Sequence, residues 1–365
     1  LPLRPPAPRQ ALDLTPDDLP VLLTELGEPA YRGRQVARWL FARAARSYGE
    51  MSDLPSRLRE RLAECLPLQP VEVVDTLRSA DSATEKALLR LGDGAAIETV
   101  LMRQPARGGM RNTICLSTQV GCAIGCPFCA TGQAGWMRNL TSGEIVAQAA
   151  HWQRVLRAEG AALDNVVYMG MGEPLGNYAA TFRSMGVLNH PDGFGLGARH
   201  LTISTSGLAP QIERMAREPF QVNLAVSLHA PNDELRDRMV PINRTYPLAR
   251  LLAAVRHYIG VTNRRVSFEY VLIAGVNDAP EQARELTDLL SGLLCHVNLI
   301  PLNPEPSGQF SVPRQEAIAR FAAVVEDRHI PCTVRVDRGQ DIAAACGQLA
   351  RQQRGRSRQQ PPIGV

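Results

Sequence analysis

The sequence predicts an α/β fold in which repeated strand–loop–helix units build a parallel sheet, either open or rolled into a barrel. From about residue 112, short apolar segments of strand length alternate with longer segments of helical periodicity, which is the pattern of βα units. The strand segments are rich in apolar residues, as strands are when helices cover both faces of a parallel sheet. These two observations predict the fold class but do not decide between an open sheet and a closed barrel.

The repeated units begin with strands that we place, in chain order, at residues 113–118, 165–170, 200–205, 222–228, 266–273 and 296–302. Helical segments follow most of them. One helix opens with the capping-box residues Thr141 and Glu144, whose side chains satisfy free backbone N–H groups at the start of a helix. A final strand at 332–336 follows a helix predicted over 314–326.

Two smaller regions precede the repeated units. Residues 1–65 have helical apolar spacing divided by a Gly-Glu-Pro turn at Gly27, which predicts a separate helical domain. Residues 66–111 contain strand-like segments at 71–78, 86–91 and 95–102, which predict a small β connector. We therefore divide the chain into a helical accessory domain (1–65), the connector (66–111), an α/β domain (112–350) and a basic, disordered tail (351–365).

Most strands of the α/β domain end in a polar loop that contains functional side chains. The loops read TQVGC, GMGEP, STSG, SLHA, AGVND and PLNP in chain order. Turn geometry explains their glycines and prolines, but not the repeated Glu, Ser, His and Asn. In a βα barrel such loops meet at the carboxyl ends of the strands, where active sites lie, so we expect a site there.

The composition is that of an ordinary globular protein, with 45% hydrophobic and 21% charged residues. No run reaches the roughly 18 apolar residues of a membrane helix, and the Pro- and Arg-rich start lacks a signal-peptide core. We therefore expect a cytoplasmic monomer without membrane contact. Lys86 is the only lysine, so arginine supplies the other basic residues. Two explanations account equally well for this bias: codon usage, and phosphate binding by guanidinium groups.

Three of the eight cysteines, Cys122, Cys126 and Cys129, lie in the loop after the first strand of the α/β domain. In a long chain with a full apolar core, such a C-x3-C-x2-C cluster indicates metal binding or catalysis rather than disulfides. A structural zinc site takes four protein ligands, and an iron–sulfur cluster is normally held by four thiolates. Three thiols therefore indicate a metal site with one position open to another ligand.

The cysteine spacing, Phe128 before the last cysteine, and the stretch GMGEP at 170–174 resemble the radical S-adenosylmethionine (SAM) superfamily. Three further features narrow the resemblance. Cys115 lies shortly before the cluster, Cys346 lies in the segment DIAAACGQL, and the run GCPFCATGQAGWMRNLTSGEIVAQ follows the first cluster cysteine. With them, residues 12–350 resemble the RlmN/Cfr family of RNA methyltransferases, which alkylate ring carbons of adenine.

The resemblance implies a partial (β/α)6 barrel and its cofactors. One 4Fe-4S cluster per chain would be held by Cys122, Cys126 and Cys129, and SAM would bind the open iron, two molecules being used per turnover. The residues implied to hold SAM are Gly172, Glu173, Ser204, Ser227, Leu228, His229 and Asn303. In this scheme the GEP residues hold the amino group, the serine and histidine loops hold the ribose and carboxylate, and the asparagine lies near the adenine.

The resemblance further implies a reaction that uses two thiols. One SAM methylates Cys346, and a second is cleaved at the cluster to a radical that removes hydrogen from the S-methyl group. The methylene radical adds to the adenine ring, Glu98 accepts the ring proton, and Cys115 frees the product by closing a disulfide with Cys346. Without the resemblance, a strand glutamate would be read as solvent-facing and an isolated cysteine as a small buried hydrophobe.

By the same resemblance, the substrates are 23S rRNA at the peptidyl-transferase centre and tRNA at the adenosine beside the anticodon, with a flavodoxin-type reductant. The target atom is C2 of adenine, and the family's alternative is C8, as in the antibiotic-resistance branch. The segment ATGQAG and the pair at 338–339 are more similar to the C2 branch. A zinc-stabilised RNA-binding protein without catalysis is the alternative from a different class. The accessory domain and the arginine-rich surface would bind the RNA, whose target base must leave its stack.

Overall fold

The structure, a computed structural model, describes residues 10–68, 71–303, 308–335 and 339–349 of the chain. The predicted basic tail and Arg338 lie outside these residues. The described part contains a small helical domain followed by a large α/β domain. None of the helices in these ranges has the length and apolar content that crossing a bilayer requires.

The N-terminal domain is helical, as predicted. Its α-helices in the described residues are α1 (Asp18–Glu25), α2 (Ala30–Ala37) and α3 (Ser56–Cys65). Leu19 and Leu23, one turn apart on α1, are completely buried and pack in an apolar core that this domain builds largely from its own residues. The core also takes in Val146 of the α/β domain, so the two domains share a packed boundary.

One sheet runs through the α/β domain. The strands of the described residues are, in chain order, β1 (Glu72–Arg78), β2 (Thr84–Arg90), β3 (Ala96–Ala106), β4 (Gly109–Cys115), β5 (Gln119–Gly121), β6 (Trp136–Asn139), β7 (Asn165–Tyr168), β8 (Leu201–Thr205), β9 (Asn223–Ser227), β10 (Val266–Leu272), β11 (Cys295–Pro301) and β12 (Cys332–Val334). Apart from the β5–β6 hairpin, they form a 10-stranded sheet in the order β1-β2-β3-β4-β7-β8-β9-β10-β11-β12. Strands β1 to β4 pair antiparallel, and the pairs from β4–β7 onward are parallel. The predicted parallel sheet is thus confirmed.

Helices pack on the sheet between successive parallel strands. In the described residues they are α4 (Ala130–Gln133), α5 (Ser142–Ala158), α6 (Tyr178–Asn189), α7 (Ala209–Met215), α8 (Asp233–Met239), α9 (Leu248–Thr262), α10 (Pro280–Leu290) and α11 (Gln315–Asp327). Strands and helices share an apolar core in which Trp152 and Phe268 are completely buried. Helix α5 begins with the predicted capping box: Thr141 Oγ1 accepts from Glu144 N at 3.2 Å, and Glu144 Oε2 accepts from Thr141 N at 2.9 Å.

The sheet is open and curved. Strands β1 and β12 stand at its two ends. Residues at the ends of β7, β8, β9, β10 and β11 nevertheless line one common pocket, so the parallel strands surround a shared concave side. This arrangement is the partial barrel that the resemblance implied.

The segment predicted as a separate β connector forms the antiparallel edge of the same sheet. Strand β3 continues through Ala106, beyond the predicted end at residue 102, and its second half pairs with β4 from Val100↔Cys115 to Ala106↔Gly109. The extra residues, Arg-Gln-Pro-Ala, begin with two polar side chains and include a proline, so they lack the apolar pattern of a strand. Backbone pairing with β4 extends the strand there. The predicted strand ended early because the prediction used the apolar pattern of side chains, which does not depend on backbone pairing.

The accessory domain is fixed to the N-terminus of α5 by Asp13. Its Oδ1 accepts a hydrogen bond at 2.7 Å from the N–H of Gly143, one of the first-turn amides that have no partner within a helix. A Cβ on Gly143 would lie 2.7 Å from the same oxygen, so only glycine allows this approach. Arg183 of α6 donates to the Asp13 carbonyl at 2.9 Å and pairs with Asp18.

Replacing Asp13 should loosen this junction. Asp13→Ala leaves the Gly143 amide without its acceptor, and we expect the free energy of unfolding to fall by about 1 kcal/mol, as for loss of a helix cap. Urea denaturation measures the change. The control is Glu25→Ala, an exposed carboxylate on α1, which should change it by less than about 0.5 kcal/mol. Equal stability of Asp13→Ala and the control would show that Asp13 does not hold the junction.

Candidate functional site

A pocket opens at the carboxyl ends of the parallel strands, where the polar loops predicted a site. Of the residues selected from the sequence, its wall contains Cys122, Cys126, Cys129, Gly172, Glu173, Ser204, Ser227, His229, Asn303 and Cys346. They come from loops distributed along the whole α/β domain. Parallel pairing brings them together, because it places the carboxyl end of every strand at the same edge of the sheet.

The three clustered thiols line this pocket and lie close enough to affect one another's ionisation. Burial raises the pKa of Cys122 to about 12, and the charges of Glu173 and Cys129 add to the shift. Burial also raises the pKa of Cys126, and the charges of Cys129 and Cys122 raise it further. Within the described ranges, no three His, Cys, Asp or Glu side chains are grouped as the ligands of a single metal ion. All three thiols line the same pocket.

Glu173 contributes a buried carboxylate to the pocket. Its oxygens accept hydrogen bonds from Leu175 N at 3.0 Å and from the N–H and hydroxyl of Ser206 at 2.7 Å each. Burial raises the pKa of Glu173, and these hydrogen bonds act in the opposite direction. All of these donors are neutral, so a cationic group in the pocket would balance the carboxylate charge.

Gly172 allows the loop that carries Glu173 to lie against β5. Its φ of +100° is in the region that favours glycine, and a Cβ there would lie 2.5 Å from the Cβ of Gln119. Gln119 Oε1 in turn accepts from Glu173 N at 2.8 Å. The glycine is therefore required by both backbone conformation and space.

The imidazole of His229 is held in one orientation by its neighbours. Its Nδ1 accepts from Val271 N at 3.0 Å, which places the proton of the neutral ring on Nε2. Burial lowers the pKa of His229 to about 3, and Arg236 contributes to the shift, so the ring is neutral at neutral pH. Phe128 of the cysteine loop packs edge-on against it at 5.2 Å between ring centroids.

The side chains of two serines line the pocket, whereas the side chain of Leu228 lies in the core. The hydroxyls of Ser204 and Ser227 lie 3.5 Å apart at the pocket wall. Leu228 does not line the pocket; its side chain is completely buried in the main apolar core. Ser227 and His229 line the pocket, whereas Leu228 between them faces the core.

A buried arginine holds the serine and histidine loops together. Arg236 of α8 is completely buried, and its guanidinium donates to the carbonyls of Ser206 at 2.6 Å and Ser227 at 3.2 Å. It also donates to the carbonyl of Leu228 at 3.1 Å. Burial lowers its pKa to about 10, so it remains charged at neutral pH. These bonds join loops that follow different strands.

A second pocket adjoins the first and contains the other two cysteines that the sequence selected as site residues. Cys115 and Cys346 both line it, together with Arg335 and Asn303. Arg335 Nη1 lies 3.8 Å from the sulfur of Cys346, and the charges of both thiols raise the pKa of Arg335 against the effect of its burial. Asn303 Nδ2 donates to the carbonyl of Cys346 at 3.2 Å. Cys346 and Asn303 thus belong to both pockets.

Glu98 lies in neither pocket. It is completely buried on β3, contrary to the usual exposure of a strand glutamate, and its Oε1 lies 3.1 Å from Lys86 Nζ. Its N–H donates to the sulfur of Met171 at 3.4 Å, which places it beside the loop that carries Glu173. The carboxylate is therefore next to the site but paired with a buried lysine.

Three positively charged residues of the site were not predicted: Lys86, Arg236 and Arg335. The sequence did single out Lys86 as its only lysine, and that was the available signal for it. Arg236 and Arg335 are two among many arginines, and nothing in their local sequence distinguishes them.

Comparisons with known proteins agree with this architecture. Residues 116–287 match the family model of the radical SAM superfamily, and residues 10–67 match that of the ribosomal RNA large subunit methyltransferase N-terminal domain. The chain is 52% identical over 338 residues to a probable dual-specificity RNA methyltransferase RlmN of Moorella thermoacetica, covering 92% of this chain and 95% of that protein. The protein of the same name from Chloroflexus aurantiacus is 50% identical over 349 residues, covering 93% and 92%.

A solved structure extends the similarity to three dimensions. The crystal structure of a radical SAM methyltransferase from Sphaerobacter thermophilus is 54% identical, with a TM-score of 0.91 over 94% of this chain and 99% of that one. The fold and the three-thiol pocket are therefore those of a radical SAM enzyme. Within that class, the chain belongs to the RlmN family of dual-specificity RNA methyltransferases. This membership rules out the non-catalytic zinc protein.

Removing the Arg236 guanidinium should weaken SAM binding. Arg236→Met leaves buried carbonyls of the serine and histidine loops without donors, which costs about 3 kcal/mol of stability and should lower SAM affinity about 10-fold or more. Urea denaturation and equilibrium dialysis with SAM measure the two effects. Arg238→Met, an exposed position on the same helix, is the control. Unchanged SAM affinity in Arg236→Met would show that the arginine does not organise the pocket.

Proposed function

We propose that this enzyme methylates C2 of adenine in 23S rRNA, at the peptidyl-transferase centre, and in tRNA, at the adenosine beside the anticodon. The observation that carries the proposal is the position of Cys346, which lines both the three-thiol pocket and the pocket that contains Cys115. A sulfur that receives a methyl group from SAM and later reacts with a second thiol needs access to both. The names of the similar proteins, dual-specificity RNA methyltransferases, support two classes of RNA substrate.

The residues of the first pocket fit a 4Fe-4S cluster and SAM. Cys122, Cys126 and Cys129 would be the cluster ligands, since all three line one pocket and three thiolates leave one position open on a cluster that normally takes four. The buried carboxylate of Glu173 would hold the SAM amino group, because it lacks a cationic partner among its hydrogen-bond donors. Bound together, the cluster and SAM would supply the methyl group and the radical chemistry.

The other residues at the pocket wall would orient SAM. The hydroxyls of Ser204 and Ser227 and the Nε2–H of His229 offer hydrogen bonds to the ribose and carboxylate. Leu228 would contribute through its backbone alone, because its side chain is in the core. Asn303 would lie near the adenine while it anchors the Cys346 loop.

The thiols and Glu98 would carry out the steps on the protein side. Cys346 would take the methyl group and form the bond to the base, and Cys115 would release the product by closing a disulfide with it. Arg335 lies near both sulfurs, and its positive charge would act against the rise in the pKa of Cys115. Glu98 would accept the ring proton, and its burial keeps this carboxylate away from water.

The accessory domain would bind the RNA backbone. It exposes Arg34, Arg38, Arg43 and Arg57, and guanidinium groups bind phosphates well. The target adenosine would have to leave its stack to reach the pocket. We propose a monomer that takes its electrons from a flavodoxin-type reductant.

The target atom can be tested directly by product analysis. Anaerobically purified protein, SAM, a reductant and either rRNA fragments or tRNA should give 2-methyladenosine in RNA hydrolysates, which mass spectrometry with chromatography separates from 8-methyladenosine. Cys122→Ala should lose iron and give no product, whereas Cys65→Ala, on the accessory domain, should retain both. Formation of 8-methyladenosine would assign the enzyme to the other branch, and a full cluster in Cys122→Ala would refute the ligand set.

The two thiols should have opposite phenotypes when replaced. Cys115→Ala should be methylated at Cys346, react once and remain as a covalent protein–RNA adduct, because the thiol that breaks the thioether is missing. Cys346→Ala should neither accept the methyl group nor form the adduct. Denaturing gels with labelled RNA detect the adduct, and the double variant is the control. A folded, cluster-containing Cys115→Ala protein without adduct would contradict the mechanism.

A further inference from the structure

Lys86 connects two parts of the site that lie far apart in the sequence. Its Nζ lies 3.1 Å from Glu98 Oε1 and donates to the carbonyl of Ala343 at 2.9 Å. Ala343 lies three residues before Cys346 in the loop that carries this thiol. One ammonium group therefore contacts both the proposed proton acceptor and the loop of the methyl-carrying sulfur.

Burying this ion pair is energetically unfavourable unless its geometry is excellent. The side chains of Lys86 and Glu98 are 1% and 0% exposed, and taking each charge out of water is unfavourable. Such pairs contribute little net stability compared with well-packed apolar residues. Stability alone is thus a weak reason for a buried charge pair beside the site.

A lysine also suits this position better than an arginine does. An ammonium is a compact charge with three donors in a tetrahedral arrangement, whereas a guanidinium is larger and planar. The two contacts of Lys86 go to different segments, β3 and the Cys346 loop. In a chain that otherwise uses arginine for its basic side chains, the one lysine stands where a small cation must fit between two segments.

The sheet register places this contact in line with the second thiol. Lys86 is opposite Val100, and Val100 is opposite Cys115, so the three positions form one row across β2, β3 and β4. Glu98 lies two residues from Val100 and thus on the same face of β3. The Cys346 loop packs over this face, since a Cβ on Gly339 would lie 2.8 Å from Thr84 Cγ2.

We propose that Lys86 is the positioning residue of the proton-transfer step, an inference that depends on the proposed role of Glu98. Lys86 pairs with the Glu98 carboxylate and fixes it relative to the loop of Cys346. Before the step, the adenine radical formed by methylene addition would give its unpaired electron to a one-electron acceptor such as an oxidised iron–sulfur cluster. In the step, the C2–H bond of the alkylated adenine breaks, its electron pair restores the aromatic ring, and the proton goes to a Glu98 oxygen. Lys86 transfers no proton and does not touch the RNA.

Replacing Lys86 should slow product release and leave the earlier steps intact. In Lys86→Met, the carboxylate loses its ion pair with β2 and its link through Lys86 to the Cys346 loop, so it is no longer held in place to accept the proton. We expect a normal cluster, normal methylation of Cys346 and an accumulated protein–RNA adduct despite an intact Cys115. Release of methylated RNA should be about 100-fold slower, the usual range for loss of a general base. Single-turnover reactions with protein methylated at Cys346 measure both species.

The matched control removes a different anchor of the same loop. Asp341 Oδ2 accepts from Ala80 N at 2.8 Å, and Asp341→Ala leaves the Lys86–Glu98 pair untouched. We expect its release rate to stay within about twofold of the unmodified enzyme. Equal slowing in Asp341→Ala and Lys86→Met would mean that loop anchoring alone explains the effect, and would overturn the proposal.

A double-mutant cycle separates positioning from a structural role. If Lys86 acts through Glu98, Lys86→Met should have no further effect in a Glu98→Gln background, whereas independent structural effects multiply. The double variant removes both charges of the Lys86–Glu98 pair, so its comparison with Glu98→Gln decides the matter even where Lys86→Met alone does not fold. A double variant much slower than Glu98→Gln overturns the proposal.

The failure of this inference can be distinguished from failure of the proposed function. Adduct formation by Cys115→Ala tests the two-thiol reaction without reference to Lys86. If Glu98→Gln releases product at the normal rate, both the base and its positioning residue are wrong, while the thiol chemistry stands. If Glu98→Gln is slow and Lys86→Met is not, only the role of Lys86 is wrong.

Discussion

Parallel pairing from β4 to β12 is the constraint on which the rest of this structure depends. Each parallel connection returns the chain to the opposite end of the sheet, so every strand delivers its carboxyl end to one edge. The cysteine loop, Glu173, the serine loops and His229 meet there for this reason alone. A slip of one residue in any strand would exchange its two faces and remove that strand's contribution to the pocket.

Buried cations hold together the loops that the sheet brings to this edge. Arg236 binds carbonyls of the loops after β8 and β9, and Lys86 joins β3 to the loop of Cys346. Loops have few neighbours of their own, so each needs a cross-link to keep a fixed shape. A charged hydrogen bond to a buried carbonyl provides one, and the desolvation of the cation is offset only while all its partners stay in place. The shape of the site and the stability of the fold are thus coupled.

The sequence predicted the features that have a local sequence pattern. It missed the side-chain contacts that depend on pairing between segments far apart in the chain. The strands, the capping box at Thr141 and the residues of the pocket wall follow from periodicity and from motifs. Strand alternation predicts that the side chain of Leu228 points away from that of Ser227 and into the core. The SAM-binding residues implied by the resemblance were assigned without regard to this alternation. By contrast, the partners of Lys86 and Arg236 depend on register between segments far apart in the chain. The Lys86 contact to Ala343 spans 257 positions, and no local pattern encodes it.

The different exposure of the two thiols gives the proposed reaction its order. Cys346 is exposed on its loop, whereas Cys115 is buried at the end of β4. Burial raises the pKa of Cys115 to about 12, the charge of Cys346 adds to the shift, and Arg335 opposes it. Because the thiolate is the nucleophile, in the proposed reaction Cys115 would stay unreactive toward the methyl donor while Cys346 is loaded. As a thioether, Cys346 would carry no charge to raise the pKa of Cys115, whereas the charge of Arg335 would still lower it. Alkylation of the first thiol would therefore prepare the second one to attack.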